Sequence, residues 1–228
     1  MILIRSARLR GLLRWLLPGV AIPALVALGA LAFPERAYML VALGVALLSL
    51  LLFCAGFERK KTGSRRMVLT AVMIALCIVG RFIPFFKPVA ALTILTALYM
   101  GAEAGFLTGA MAAALSNFFF GQGPWTPFQM LAWGLIGLAA GYLAAPLKRS
   151  RALLLLYGLL SALAYSLVMD VWTVLWYESG LDWALYRAAL LTALPHTLLY
   201  AASNVLFLAL LATPIGQKLE RMRVKYGM

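Results

Sequence analysis

Of 228 residues, 64% are hydrophobic and only 12% are charged, and the mean hydropathy is +0.96. A chain this apolar excludes an ordinary soluble domain and leaves an integral membrane protein of helices or a closed barrel. The formal charge of +13 gathers at the ends of apolar segments, with no basic stripe of interleaved aromatics, so it reads as membrane topology rather than nucleic-acid binding.

The apolar runs are long and do not alternate, which favours helices. Eight segments are predicted, at 12–33, 37–57, 66–83, 88–100, 102–120, 127–147, 152–177 and 188–213. The first has a basic start, and Ala30-Leu31-Ala32 has the outline of a cleavage site, but the apolar run is too long for a signal peptide and is read as a retained helix. The second follows a tight turn at Pro34-Glu35-Arg36. Together they form a nearly nonpolar hairpin, expected to anchor or to pack peripherally.

The run Glu58 to Arg66 divides the chain. The expected units are a hairpin over 1–58, a basic cytoplasmic linker over 59–66, a six-helix substrate-binding membrane domain over 67–215 and a basic cytoplasmic tail over 216–228. If every segment spans, sixteen of the twenty Lys and Arg fall on one side. Only Arg36, Arg81, Lys87 and Arg187 fall on the other. Both termini are then cytoplasmic.

The third segment carries Ala71 and Ala75 on one face. The fourth would span only ~20 Å, so it thins the bilayer or sits against its neighbours. The fifth has small residues at Gly101, Gly105, Gly109 and Ala113, a stripe that Asn117 continues, and the sixth has Gly134, Gly137 and Gly141. Such stripes let helices approach closely. Cys54 and Cys77 read as buried small hydrophobes. No metal-ligand spacing occurs, and no cofactor is expected.

Between the fifth and sixth segments lies Gly121-Gln122-Gly123-Pro124-Trp125-Thr126-Pro127-Phe128-Gln129-Met130. Thr126, Pro127 and Gln129 fit a capping box with Thr at N-cap, Pro at N1 and Gln at N3. Gly121, Gln122, Gly123 and Trp125 need another reason. Gly-x-Gly-Pro suggests a turn of unusual dihedrals held rigid by Pro124, facing a substrate. Trp125 has the alternative of the interfacial aromatic belt.

Depth along the helices sharpens this. Trp133 lies ~9 Å, Asp170 ~10 Å and His196 ~12 Å from the outer ends of their segments. An ionisable residue at such depth is a functional candidate. Asp170 paired with His196, or satisfied by hydroxyls, as structural glue is the alternative. Gln129 and Trp133 share a face; Tyr165, Met169, Trp172 and Trp176 recur on the seventh segment, and Thr192, His196, Tyr200 and Ser203 or Asn204 on the eighth. Aromatic walls with a few polar groups describe a small-molecule site. The expected substrate residues are Arg81, Asn117, Gln122, Trp125, Gln129, Trp133, Asp170, Trp176, His196 and Tyr200. Arg81 and Lys87 flank an outer loop that covers this pocket or anchors at the interface.

Enzyme motifs are missing: no nucleophile elbow, no His-Glu-x-x-His and no paired catalytic carboxylates. Ser116, Ser161 and Ser203 sit in ordinary helical sequence, against a Ser–His protease. The chain is therefore not expected to be an enzyme, and without a P-loop it does not itself hydrolyse ATP.

Phe120 through Met130, with Ala71 and Ala75, carry a resemblance over about residues 66–215. The chain resembles the substrate-binding (S) component of energy-coupling-factor (ECF) vitamin transporters. The resemblance implies an all-α membrane protein, here a six-helix bundle preceded by a two-helix hairpin, eight transmembrane helices in all. It implies a multi-pass protein of the bacterial plasma membrane that binds a vitamin-like ligand from outside. It would dock on a transmembrane coupling subunit driven by two cytoplasmic ATPases, as in an ABC importer, and topple to release substrate inward. Ala71 and Ala75 map to the coupling contact. The hairpin departs from the minimal six-helix pattern. The loop phrase is similar to that of members with cobalamin-type substrates, although flat vitamins would use the same residues. A stand-alone secondary transporter or permease is one alternative, weakened by the absence of a convincing internal repeat. A non-transport membrane scaffold is another.

Overall fold

The computed structural model describes residues 6–32, 38–56, 63–177 and 182–226. The turn predicted at Pro34-Glu35-Arg36, Arg5 and the basic residues Arg59, Lys60 and Lys61 lie outside the described residues. Among the described residues every regular element is helical.

Helix α1 (Ala7–Leu16) is capped by Ser6, whose hydroxyl accepts from the Leu9 amide at 3.3 Å. It runs through a π-helical turn, Leu17–Ala21, into α2 (Ile22–Ala32). Pro18 lies in that turn. A proline has no N–H and crowds the preceding carbonyl, and the wider turn absorbs both effects. Helix α3 (Tyr38–Ala55) returns alongside. Gly29 faces Val41 and Gly44 faces Leu25 so closely that a Cβ at either glycine would lie within 2.8 Å of the opposing side chain.

Helix α4 (Gly63–Gly80) leads through an outer loop into α5 (Val89–Met100). Nearly every residue of α5 is buried. It packs against α4, α6, α7, α8, α9 and α10, so this short segment is a central post, and neighbouring helices rather than a thinned bilayer cover it. Helices α6 (Ala102–Phe120) and α7 (Trp125–Tyr142) form the tightest pair. A Cβ on Gly109 would meet the Trp133 carbonyl at 2.3 Å, and one on Gly137 the Gly105 carbonyl at 2.4 Å. The small residues therefore bring two backbones together. Gly101 is the exception within its stripe. With φ at 98° it breaks the chain between α5 and α6 instead of packing, a conformation that favours glycine.

The sixth predicted segment stops sooner than its apolar run. Helix α7 ends at Tyr142, and a short α8 (Ala144–Arg149) follows around Pro146. The last two helices are α9 (Arg151–Tyr177) and α10 (Trp183–Tyr226). Helix α10 continues well past the predicted end at 213, through Pro214. At 44 residues it is about 66 Å long, against ~30 Å of hydrocarbon. The basic tail is thus the helical end of α10, where Glu220 pairs with Arg223 and Lys148.

Four stretches are long and apolar enough to cross a membrane: Ala7–Ala32, Tyr38–Ala55, Arg151–Tyr177 and Trp183–Lys225. Exposed Leu and Val such as Leu40, Val68, Leu191 and Leu210 cover the outside, as lipid requires. The hairpin lies on α6 and α7. At the end of the hairpin that carries Arg14, the buried Glu103 carboxylate is held by Arg14 of α1 and by Arg66 of α4, the latter at 3.4 Å. Arg66 also donates to the Gly56 carbonyl at 3.1 Å.

Candidate functional site

Polar atoms converge where the C-terminal ends of α4 and α6 meet the first turns of α7 and the middle of α9. Asn117, one turn from the end of α6, is buried. Its amide nitrogen donates to Thr126 Oγ1 and Gln129 Oε1, both at 2.9 Å. Its carbonyl oxygen accepts from Arg81 at 2.7 Å. Arg81 also donates to the Ser116 hydroxyl. Gln129 passes the chain on, its amide nitrogen donating to Tyr165 Oη of α9 at 2.8 Å.

Aromatic rings extend this network. Trp133 and Tyr165 stack with centroids 5.4 Å apart, and Tyr165 and Tyr200 stack at 5.1 Å and 7° between planes. His196 lies 5.0 Å from the Tyr200 ring. The Arg81 guanidinium sits 5.3 Å from the Trp133 ring centroid and 4.7 Å from that of Phe120. The result is a flat aromatic ladder, edged by amides and one cation.

The turn above it is built as its composition requires. Gly121 has φ at 100°. A Cβ at Gly123 would lie 2.1 Å from the Trp125 ring, so only glycine lets that indole fold back over the turn. Gln122 donates to the Ala114 carbonyl at 2.8 Å and accepts from Thr126 at 3.0 Å. The predicted capping box does not form. Helix α7 begins at Trp125 with Pro124 as its N-cap, two residues early, because Pro124 already holds the helical φ. Thr126 and Gln129 are thereby released into the buried network.

The structure brings together Arg81, Asn117, Gln122, Gln129, Trp133 and Tyr200 around this centre. Trp125 covers it from the turn, with its ring 5.7 Å from that of Trp172. Asp170 and Trp176 lie apart, and His196 reaches the centre only at its exposed edge, against the Tyr200 ring. Asp170 is buried, but its carboxylate accepts from Ser166 at 3.1 Å, and Ser166 accepts from Thr197. Hydroxyls, not His196, satisfy it, and no ion pair joins the two. His196 is exposed on α10. Trp176 is 42% exposed and lines a shallow apolar crevice between the hairpin and the turn, with Val26, Val41, Pro124 and Trp172. Ser203 donates to the Lys87 carbonyl at 3.0 Å, tying the outer loop to α10. Ala71 and Ala75 are exposed on α4.

The model of the ECF-type riboflavin transporter S component family matches residues 61–221. The chain belongs to this family. No curated protein and no solved structure matches it. The family match begins after the hairpin, so the S component proper is the body from α4 to α10, and the buried network lies wholly within it. Sequence reasoning left Ser116, Thr126 and Tyr165 out of the candidate site, although all three join the buried network. Thr126 had a sufficient explanation as a helix cap, and Tyr165 was one member of an aromatic stripe. Only the fold shows that the Tyr165 hydroxyl points at Gln129.

Proposed function

We propose that this S component binds a vitamin with a flat conjugated ring at the outer ends of α6, α7, α9 and α10 and delivers it to an ECF-type importer. The observation that carries the proposal is the Trp133–Tyr165–Tyr200 ladder beside the Asn117 and Gln129 amides. Stacked rings bind any planar π-system, and the amides at the edge supply both donors and acceptors to a heteroaromatic rim. Riboflavin, the substrate named in the matched family's description, has that form. A cobalamin-like ligand, suggested by the loop phrase, is the second candidate.

The chain works as a binding subunit and not as an enzyme. Energy comes from two cytoplasmic ATPases through a coupling subunit that meets α4. The exposed Ala71 and Ala75, flanked by Val68, Val72 and Val79, support that contact, since small residues in an apolar face admit a second helix. Eight spans with both termini in the cytoplasm agree with the charge distribution.

Titration of the purified full chain with riboflavin and with cyanocobalamin, followed by tryptophan fluorescence, tests the ligand. Quenching by one and not the other names the class. Co-purification tests the assembly: a tagged chain that never recovers a coupling subunit and ATPases contradicts the importer.

A further inference from the structure

We infer that the ligand presents an anionic oxygen group, a carboxylate or a phosphate, to Arg81. This rests on the vitamin-binding reading of the site and narrows the chemistry of the ligand. Arg81 directly follows α4, yet its side chain turns inward and is only 8% exposed. One terminal nitrogen is used by Ser116 and Asn117. Among the described residues its Nε–H has no acceptor, and neither does the indole N–H of Trp133, which is fully buried in the same cluster. Two buried donors that flank the Arg81–Trp133 contact are thus left over.

The charges are equally one-sided. Lys87 lies 5.6 Å from the centroid of the Phe120 ring that Arg81 covers. No ion pair among the described residues includes Arg81 or Lys87. The nearest deep carboxylate, Asp170, is occupied by Ser166. Part of the charge is offset locally. Arg81 lies at the C-terminal ends of α4 and α6, each equivalent to about half a negative charge, and it sits on aromatic faces. Those contacts stabilise a cation but accept no N–H. A buried guanidinium with an unused donor calls for an anionic oxygen, the acceptor whose charge and lone pairs match it. A neutral ring alone would leave both the charge and the donors unmatched.

Riboflavin and flavin mononucleotide differ only in one phosphate, so they are the probes. Both are titrated into the full chain, with the unaltered protein compared to Arg81→Gln and Arg81→Lys. The expected result is about tenfold tighter binding of the phosphorylated flavin. That ratio should collapse to about one in R81Q and partly return in R81K, whatever each variant does to absolute affinity. Riboflavin binding as tightly as its phosphate overturns the anionic ligand and leaves the vitamin reading standing. If neither flavin binds, the flavin class falls, and the compound extracted from natively purified protein decides. An acidic compound that rebinds less well to R81Q supports the inference. A neutral compound, or none that rebinds, overturns it.

Discussion

Arg81 and Asn117 meet at 2.7 Å although they are 36 positions apart. The first lies beyond α4 and the second one turn short of the end of α6. Asn117 spends every polar atom on this network, accepting from Arg81 and donating to Thr126 and Gln129. It is the one side chain that ties the outer loop, the glycine-proline turn and α7 together. Asn117→Ala should therefore leave the Gln129 Oε1 acceptor without its donor and take one partner each from Arg81 and Thr126. We expect a loss of about 1–3 kcal/mol in stability and at least ~10-fold weaker ligand binding, read from thermal unfolding and from a fluorescence titration. Unchanged affinity would remove Asn117 from the site.

Gln129 and Asp170 were equal candidates in the sequence, and the structure separates them. Gln129 joins Asn117 to Tyr165, whereas Asp170 accepts from Ser166 on its own helix. Gln129→Ala should weaken binding ~10-fold or more, while Asp170→Asn keeps an acceptor for Ser166 and should change affinity by less than ~3-fold. The opposite order in a calorimetric titration would move the ligand toward the face of α9 that carries Asp170.

Gly109 permits the backbone of α6 to lie against that of α7 at Trp133, and so it sets the height of Trp133 relative to Asn117. A valine there cannot fit without separating the helices. Gly109→Val should cost about 1–3 kcal/mol, the usual range for overpacking a filled core. Binding should fall with it, because the ladder loses its register. The melting temperature of the purified variant checks the first effect, and a titration at low temperature checks the second.

The helices were legible because lipid imposes a simple rule: apolar runs mark helices, and rare polar atoms face inward. The glycines of α6 and α7 were legible for the same reason, since a four-residue spacing has few other uses in a helix. The partners of those polar atoms were not. Asp170 and His196 share a level in depth, but rotation about the helix axes decides contact, and sequence spacing does not fix the rotation of one helix against another. Glu103 was missed altogether. It sits at the first turn of α6, a position that reads as solvated, and only the hairpin folding over it makes it buried.

That carboxylate fixes the hairpin. Glu103 is paired with Arg14 from α1 and Arg66 from α4, and Arg66 also holds the end of α3 through the Gly56 carbonyl. Removing the carboxylate takes away the one group that joins both cations. Arg14 is partly solvated and Arg66 keeps the Gly56 carbonyl, so Glu103→Ala should cost about 1–3 kcal/mol. Hydrogen exchange should accelerate in α1 and α3 while α5 to α7 keep their protection. Uniform acceleration across the chain would mean that the pair supports the whole bundle and not the hairpin in particular.

The exposed face of α4 gives the most discriminating experiment on transport. Ala71 and Ala75 lie on the lipid side of the helix, away from the Arg81–Asn117 network, among exposed Val68, Val72 and Val79. Bulk placed there meets no neighbour inside the chain, so Ala71→Phe with Ala75→Phe should leave ligand affinity within ~2-fold and the melting temperature near that of the parent. It should block the close approach of another helix, and with it uptake in cells that express the coupling subunit and the ATPases. Binding and uptake are thereby measured on the same variant. Loss of uptake with binding intact assigns α4 to the coupling contact. Equal loss of both would show that the bulk disturbs the bundle, and uptake at the parental rate would place the coupling contact on another helix.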